Sequence, residues 1–335
     1  EKAMNLDSNL VDAINALAST FSLTSDFDKS EELYNKAIKV SLRLNNKDAQ
    51  TRALSGLGIL KYYRGNLDGA LETLMEVKTL AQETGSKERL STNLNNLAII
   101  YSSRGNSEKA LEMLHEMRDI EESLDDKSGL QYAYNNLSAV YSGLGKFELA
   151  YENVLKAYEL SKEIEDLDFQ ATALTNISIH ELNLNKNYEK TLRGLNEVLD
   201  IYTKLGKKQG LVETMHRMTP AQAALDKSVE LLETSEKALK LSEEIKNENL
   251  IAKSYINLAT AHEEIGDKSK QLINLKKSKK IIKEINNQDM LGKVLGIFSD
   301  YFKNIGNLDS SKYYATNALN IHETLGNKPL IANDI

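Results

Sequence analysis

One sequence unit returns every 40 residues, and that step leaves little freedom in what the chain can fold into. Leu57, Leu97, Leu137 and Ile177 stand 40 residues apart. Leu17 lies one step before them, and Met218, Leu258 and Phe298 continue the series after a single inserted residue. A small residue follows each anchor: Ala18, Gly58, Ala98, Ser138, Ser178, Thr219, Ala259 and Ser299. Gly65, Gly105, Gly145, Gly266 and Gly306 stand eight beyond their anchors. Ala70, Ala110 and Ala150 stand thirteen beyond, and Ala37, Ala157, Ala238 and Ala318 twenty beyond. One such unit cannot bury its apolar face alone, so the copies must stack on their neighbours.

Each copy reads as two helices. In the second copy the first covers 51–64 and ends at Gly65-Asn66, where Gly closes a helix in the left-handed conformation. The second covers 67–84, with Leu67, Ala70, Leu71, Leu74, Val77, Leu80 and Ala81 at helical spacing. Polar joints such as Gly85-Ser86-Lys87 lead to the next copy. Small columns fit where helices approach closely and large ones fill what lies between. The 17 Gly and 2 Pro are too few for a β-sandwich and suit long helices.

These columns resemble the tetratricopeptide repeat in a lengthened, 40-residue form. Leu97, Ala98, Tyr101, Gly105 and Ala110 carry the likeness, as do Leu137, Ser138, Tyr141, Gly145 and Ala150. Leu54, Leu94 and Tyr134 stand where the family usually has Trp. The resemblance implies an all-α, right-handed α-solenoid of about eight helix-turn-helix repeats, with the first helices lining the concave side. The expected organisation is one solenoid over 1–335. Its repeats are near 10–46, 49–86, 89–126, 129–166, 169–207, 210–247, 250–287 and 290–327.

Two places break the pattern. Pro220 falls inside the first helix of the sixth copy, where Pro costs about 3 kcal/mol. Either the helix kinks, or it stops and restarts with Thr219 as N-cap and Gln222 closing a capping box. A hinge between the first five copies and the last three is the sharper alternative. The other break is the end. Residues 328–335 read as the start of a further repeat or as a short cap. Truncation is the expectation there, with an effector or more repeats beyond. The absence of an initial Met suggests processing or truncation at the start as well.

Chemistry is sparse. Cysteine is absent, which removes thiol catalysis and thiolate metal sites. There is no GxxxxGK[ST], GxGxxG, HExxH or GxSxG. His115, His180, His216, His262 and His322 fall in separate copies and suit structural or surface roles. No enzyme, cofactor or metal is expected. The net charge of −7 argues against nucleic acid, and no apolar run is long enough to span a bilayer. Lys268, Lys270, Lys276, Lys277, Lys279, Lys280 and Lys283 read as a solvated outer face.

Asparagine is the informative polar residue. Asn96, Asn136, Asn176 and Asn257 precede their anchors by one, and Asn15, Asn95 and Asn135 by two. Asn is a mediocre helix former, so its recurrence within helices asks for a reason. A row of amides can hydrogen-bond the backbone of an extended peptide. Equally, these amides can be structural. In the family, peptides lie along this face. The expected site residues are Asn95, Asn96, Asn135, Asn136, Asn176, Arg52, Tyr62, Tyr132 and Arg217. The family's Lys/Asn/Arg clamp for a terminal carboxylate is not reproduced, since the matching columns give Asn15, Ser19 and Gly56.

The expected function is a non-enzymatic module binding a peptide or partner segment in the concave groove. It resembles the sensory or scaffolding part of a larger bacterial signalling protein. The alternatives are an assembly scaffold using its convex surface, and the regulatory part of an enzyme encoded elsewhere. The chain is expected to be soluble, with the bacterial cytoplasm favoured over the periplasm; oligomeric state stays open.

Overall fold

The structure of the chain, a computed structural model, describes residues 2–325, with side chains from Leu10 onward. The segment 328–335 and the joint before it lie outside the described residues. All regular structure within them is helical. The chain divides into two compact units, Glu1–Asp166 and Leu167–Ile335.

The first unit contains α1 (Lys2–Leu23), α2 (Phe27–Arg43), α3 (Lys47–Tyr63), α4 (Leu67–Thr84), α5 (Lys87–Ser103), α6 (Ser107–Leu124), α7 (Lys127–Gly143) and α8 (Phe147–Glu163). The second contains α9 (Leu167–His180), a π-helical turn (Glu181–Asn185), α10 (Tyr188–Lys204), α11 (Lys208–Ala224), α12 (Ser228–Glu244), α13 (Glu248–Ile265), α14 (Lys268–Glu284), α15 (Gln288–Asn304) and α16 (Leu308–Thr324). Within each unit every helix packs on the next, and first helices of adjacent pairs also touch, as α3 and α5 do. The second helix of the second copy falls where the spacing predicts. The first begins four residues ahead of the expected 51.

Each joint turns through one left-handed residue, whether or not it is Gly. Seven glycines and eight other residues take positive φ among the described residues, the latter including Ser25, Asn45, Asp125 and Asp226. An Asn or Asp usually follows and caps the next helix. Asn66 Oδ1 accepts from the Gly69 N–H at 2.9 Å, and Asn46, Asn106, Asn187, Asn247, Asn287 and Asn307 cap their helices in the same way. Such a cap contributes about 1 kcal/mol. Much of the chain's Asn richness therefore closes helix ends.

The anchors fill the cores. Leu97 is fully buried, and Leu57, Leu137, Ile177, Met218, Leu258 and Phe298 are buried too. Leu17 differs at 48% exposed. The alanines thirteen and twenty beyond the anchors are also buried.

The inserted residue is absorbed at one place. After α9 the backbone opens into the π turn, where the Lys186 N–H donates to the Glu181 carbonyl, five residues back. The left-handed residue thereby moves from eight beyond the anchor to nine, at Lys186. Glu181 is buried, and its carboxylate accepts from Lys190 Nζ at 2.6 Å and Asn185 Nδ2 at 2.9 Å. The regular step then resumes in α10.

Pro220 does not restart its helix. α11 runs unbroken through it. Thr219 is buried inside the helix with its hydroxyl unpartnered, so it is no N-cap. Gln222 reaches across to Thr234 Oγ1 at 3.1 Å instead of closing a capping box. The Pro ring sits at an exposed position, where the missing N–H and the His216 carbonyl four residues back are most easily accommodated.

Candidate functional site

In the first unit α3, α5 and α7 turn equivalent positions outward. Arg52, Thr92 and Tyr132 form one column, Ser55, Asn95 and Asn135 a second, Gly56, Asn96 and Asn136 a third, and Ile59, Ile99 and Ala139 a fourth. A helix repeats its face every three to four residues, so the first and third columns are neighbours one turn apart.

The amides meet across helices. Asn136 Nδ2 donates to Asn95 Oδ1 at 2.6 Å, joining α7 to α5. Asn135 Nδ2 donates to Asn136 Oδ1 at 3.4 Å. The Asn95 NH2 and the whole Asn96 amide carry no hydrogen bond within the described residues. The half-buried row thus fixes its own geometry and keeps donors and acceptors in hand. Ile99, 40% exposed, and Tyr132, 49% exposed, border it. Asn93, which the column pattern passes over, faces inward and donates to the Leu74 carbonyl at 2.9 Å.

The other predicted residues have different surroundings. Arg52 is held by Asp12 at 2.7 Å and by Asp48, and Asp48 also takes Arg89. Burial pushes the Asp48 carboxyl up, yet the Arg89 and Arg52 guanidiniums outweigh it and hold it below the usual range. This network borders a polar depression of about 390 Å³ between α3 and α5. Tyr62 packs against the first unit's core, its hydroxyl 3.3 Å from Ser103 Oγ. Asn176 and Arg217 belong to the second unit. Arg217 is exposed on α11 and has no ion pair within the described residues. Burial lowers the Lys253 ammonium on α13, and the positive charge of Arg217 lowers it further.

Two of the buried titratable groups bear on how stability depends on pH. His216 in α11 is 4% exposed, its Nε2 2.8 Å from Ser254 Oγ. Burial, assisted by the Lys253 charge, drops its pKa to about 3. Glu121 in α6 is buried and hydrogen-bonded to the Ser91 hydroxyl. Gly129 makes room for it, because a Cβ there would lie 2.3 Å from the Glu121 carboxyl carbon. Gly210 clears Tyr202 in the same way, a Cβ meeting its ring at 2.8 Å. A Gly eight residues after a bulky side chain was the signal available in the sequence.

Burial raises the Glu121 carboxyl, and Asp126 and Glu88 add to the rise against the Ser91 hydrogen bond. The fold therefore favours the protonated acid. That contribution is complete below the ordinary carboxylate pKa and is lost as pH rises through the raised value. Glu121→Gln will match wild type near pH 4 and exceed it at pH 7 in urea midpoint. A variant that matches wild type near pH 4 and falls below it at pH 7 would show that the ionised carboxylate is the favoured form.

The comparisons with known proteins fit this architecture. The family model for the tetratricopeptide repeat matches residues 9–83 and 50–122, and that for anaphase-promoting complex subunit 5 matches 99–183. No curated protein matches the chain. Among solved structures, the apo quorum sensor NprR from B. thuringiensis has a TM-score of 0.73 at 16% identity, covering 94% of this chain and 88% of its own. Apo RapI has a TM-score of 0.68 at 18% identity, covering 83% and 99%. A Rap protein complexed with Competence and Sporulation Factor has a TM-score of 0.62 at 13% identity, covering 95% and 99%. At such identities the likeness is one of fold.

Proposed function

We propose that this chain, a member of the tetratricopeptide-repeat family, is a non-enzymatic binding module that takes an extended peptide or partner segment on the first-helix face of its first unit. The carrying observation is the amide row of α5 and α7. Asn95 and Asn136 fix each other, and Asn96 beside them is unsatisfied and open to a ligand. An extended backbone presents alternating N–H and C=O groups, which an amide can meet from either end. Tyr132 and Ile99 offer apolar contact to its side chains. Arg52 contributes through the network that shapes the rim, since its own charge is already matched. The solved relatives include a quorum sensor and a Rap protein in complex with a factor, which supports a sensory role for a module of this kind.

The test is a library of random eight-residue peptides screened on the full chain, with hits measured by isothermal titration. Asn96→Ala and Asn136→Ala are each expected to weaken the best binder about tenfold, as for loss of one or two backbone hydrogen bonds. Affinities unchanged in both variants would remove the amide row from the mechanism.

The assembly reading has one observation in its favour. Met75 and Leu155 share a repeat column on the second helices α4 and α8 and are 43% and 37% exposed. Sedimentation of wild type beside Met75→Gln, Leu155→Gln discriminates, since only a self-associating scaffold would dissociate in the variant.

A further inference from the structure

We propose that a pocket between α14, α15 and α16 is a binding site for a small amphipathic carboxylate, an organic acid with a charged head and an apolar body. It shares no residue with the amide row and does not depend on the reading of that row. The pocket measures about 430 Å³, within the range of small-molecule sites. Leu291 and Leu295 of α15 and Ile321 of α16 supply apolar wall. Lys279 and Lys283 of α14 supply charge, and no Asp or Glu lines the pocket. Of the seven lysines within 268–283, these two line the pocket, and no carboxylate lines it with them.

The repeat provides an internal comparison. Lys279 occupies the column held by Lys78 in α4 and Arg118 in α6. Lys78 lies 2.7 Å from Glu116, and Arg118 lies 2.6 Å from Asp119. Lys279 has no such partner. Its ammonium instead sits over the rings of Phe298 and Tyr314, at 4.7 and 5.2 Å from their centroids. Those rings stack at 4.9 Å, which fixes the platform. A ring face holds a cation in position without neutralising it. Lys283, one turn further on, also lacks an ion pair within the described residues. Around Lys279 neither acid recurs: Asn317 stands in the column of Glu116 and Lys280 in that of Asp119, and Lys279 opens onto a pocket with an apolar wall. Asn320, whose amide is unbonded within the described residues, can donate to the second carboxylate oxygen.

The test is isothermal titration of octanoate into the full chain, with 1-octanol as the uncharged probe of equal length. Octanoate is expected to saturate one site, with octanol about tenfold weaker. The double variant Lys279→Gln, Lys283→Gln is expected to lose about tenfold for octanoate and nothing for octanol. Lys283 is exposed, so Lys283→Gln alone keeps the fold and is expected to cost about threefold. That variant carries the test if removing Lys279 from its aromatic platform lowers thermal stability. Equal binding of the two probes, unchanged octanoate affinity in Lys283→Gln, or no saturable binding at millimolar octanoate would each overturn the site.

Discussion

Gly58→Ala will destabilise the wild-type chain and stabilise the Leu74→Ala chain. Gly58 lies in the interior of α3, where replacing Gly by Ala ordinarily gains about 1 kcal/mol from backbone entropy. Here a Cβ would lie 2.7 Å from Leu74 Cδ2 and 2.8 Å from its Cγ. Leu74 is fully buried in the first unit's core, beside Val77, Leu94 and Leu97, and has no open side to move into. Overpacking of this kind costs about 1–3 kcal/mol, so the net effect in wild type is a loss of about 1 kcal/mol. Leu74→Ala alone leaves a cavity and costs about 3 kcal/mol. In that background the new methyl enters vacated space, and the helical gain is no longer opposed. The expected coupling between the two sites is therefore about 2 kcal/mol, within the range for residues in direct contact. Urea unfolding of the four proteins by circular dichroism would measure it, with amide exchange assigning the transition to the first unit. Additive effects, or a stabilising Gly58→Ala in wild type, would mean that the small column does not mark a close helix approach.

That column was readable in advance, and the reason is physical. A side chain that must be small because another helix touches it returns at the repeat step, and so do the anchor and alanine columns. Long-range pairing followed from spacing alone. What could not be read depends on which side chains meet across a step. The Asn column looked like one feature and is several. Asn136 bonds Asn95, Asn96 stays open, and Asn257 is buried with its NH2 unpartnered within the described residues. Arg52 looked available, but Asp12 lies 40 residues away in sequence and its contact is visible only once α1 stands beside α3. The left-handed joints were seen where Gly marked them and missed at Ser25, Asn45 and Asp125, because one strained residue is tolerated when helices on both sides fix it. The inserted residue was counted correctly, but periodicity alone could not say where the backbone would take it up. Of the two readings at Pro220 the restart is excluded, because a helix anchored at both ends by packing carries the cost of Pro without breaking.

The second large effect is acid sensitivity carried by His216. Its imidazole is buried in α11, bonded through Nε2 to Ser254 of α13, with the Ser242 hydroxyl of α12 3.4 Å from that of Ser254 and the Lys253 charge nearby. Nδ1 is buried without a partner, so a second proton there would have no acceptor. The folded pKa of about 3 lies below the ordinary imidazole value of 6.5. The folded state therefore keeps the ring neutral while the unfolded chain takes up a proton below pH 6.5. Stability from this group is complete above 6.5 and is lost as pH falls toward 3, with a limiting slope of about 1.4 kcal/mol per pH unit. His216→Asn removes the titration and places in this column the residue that Asn95 and Asn135 already supply on α5 and α7. At pH 8 the variant will be about 1 kcal/mol less stable, because a smaller side chain leaves part of the site empty. At pH 4 wild type has lost about 3 kcal/mol through this residue, and the variant will be the more stable protein. The two curves of urea stability against pH must cross between those values. Parallel curves would mean that His216 titrates in the folded chain as it does in the unfolded one, and that the buried contact with Ser254 does not hold it neutral.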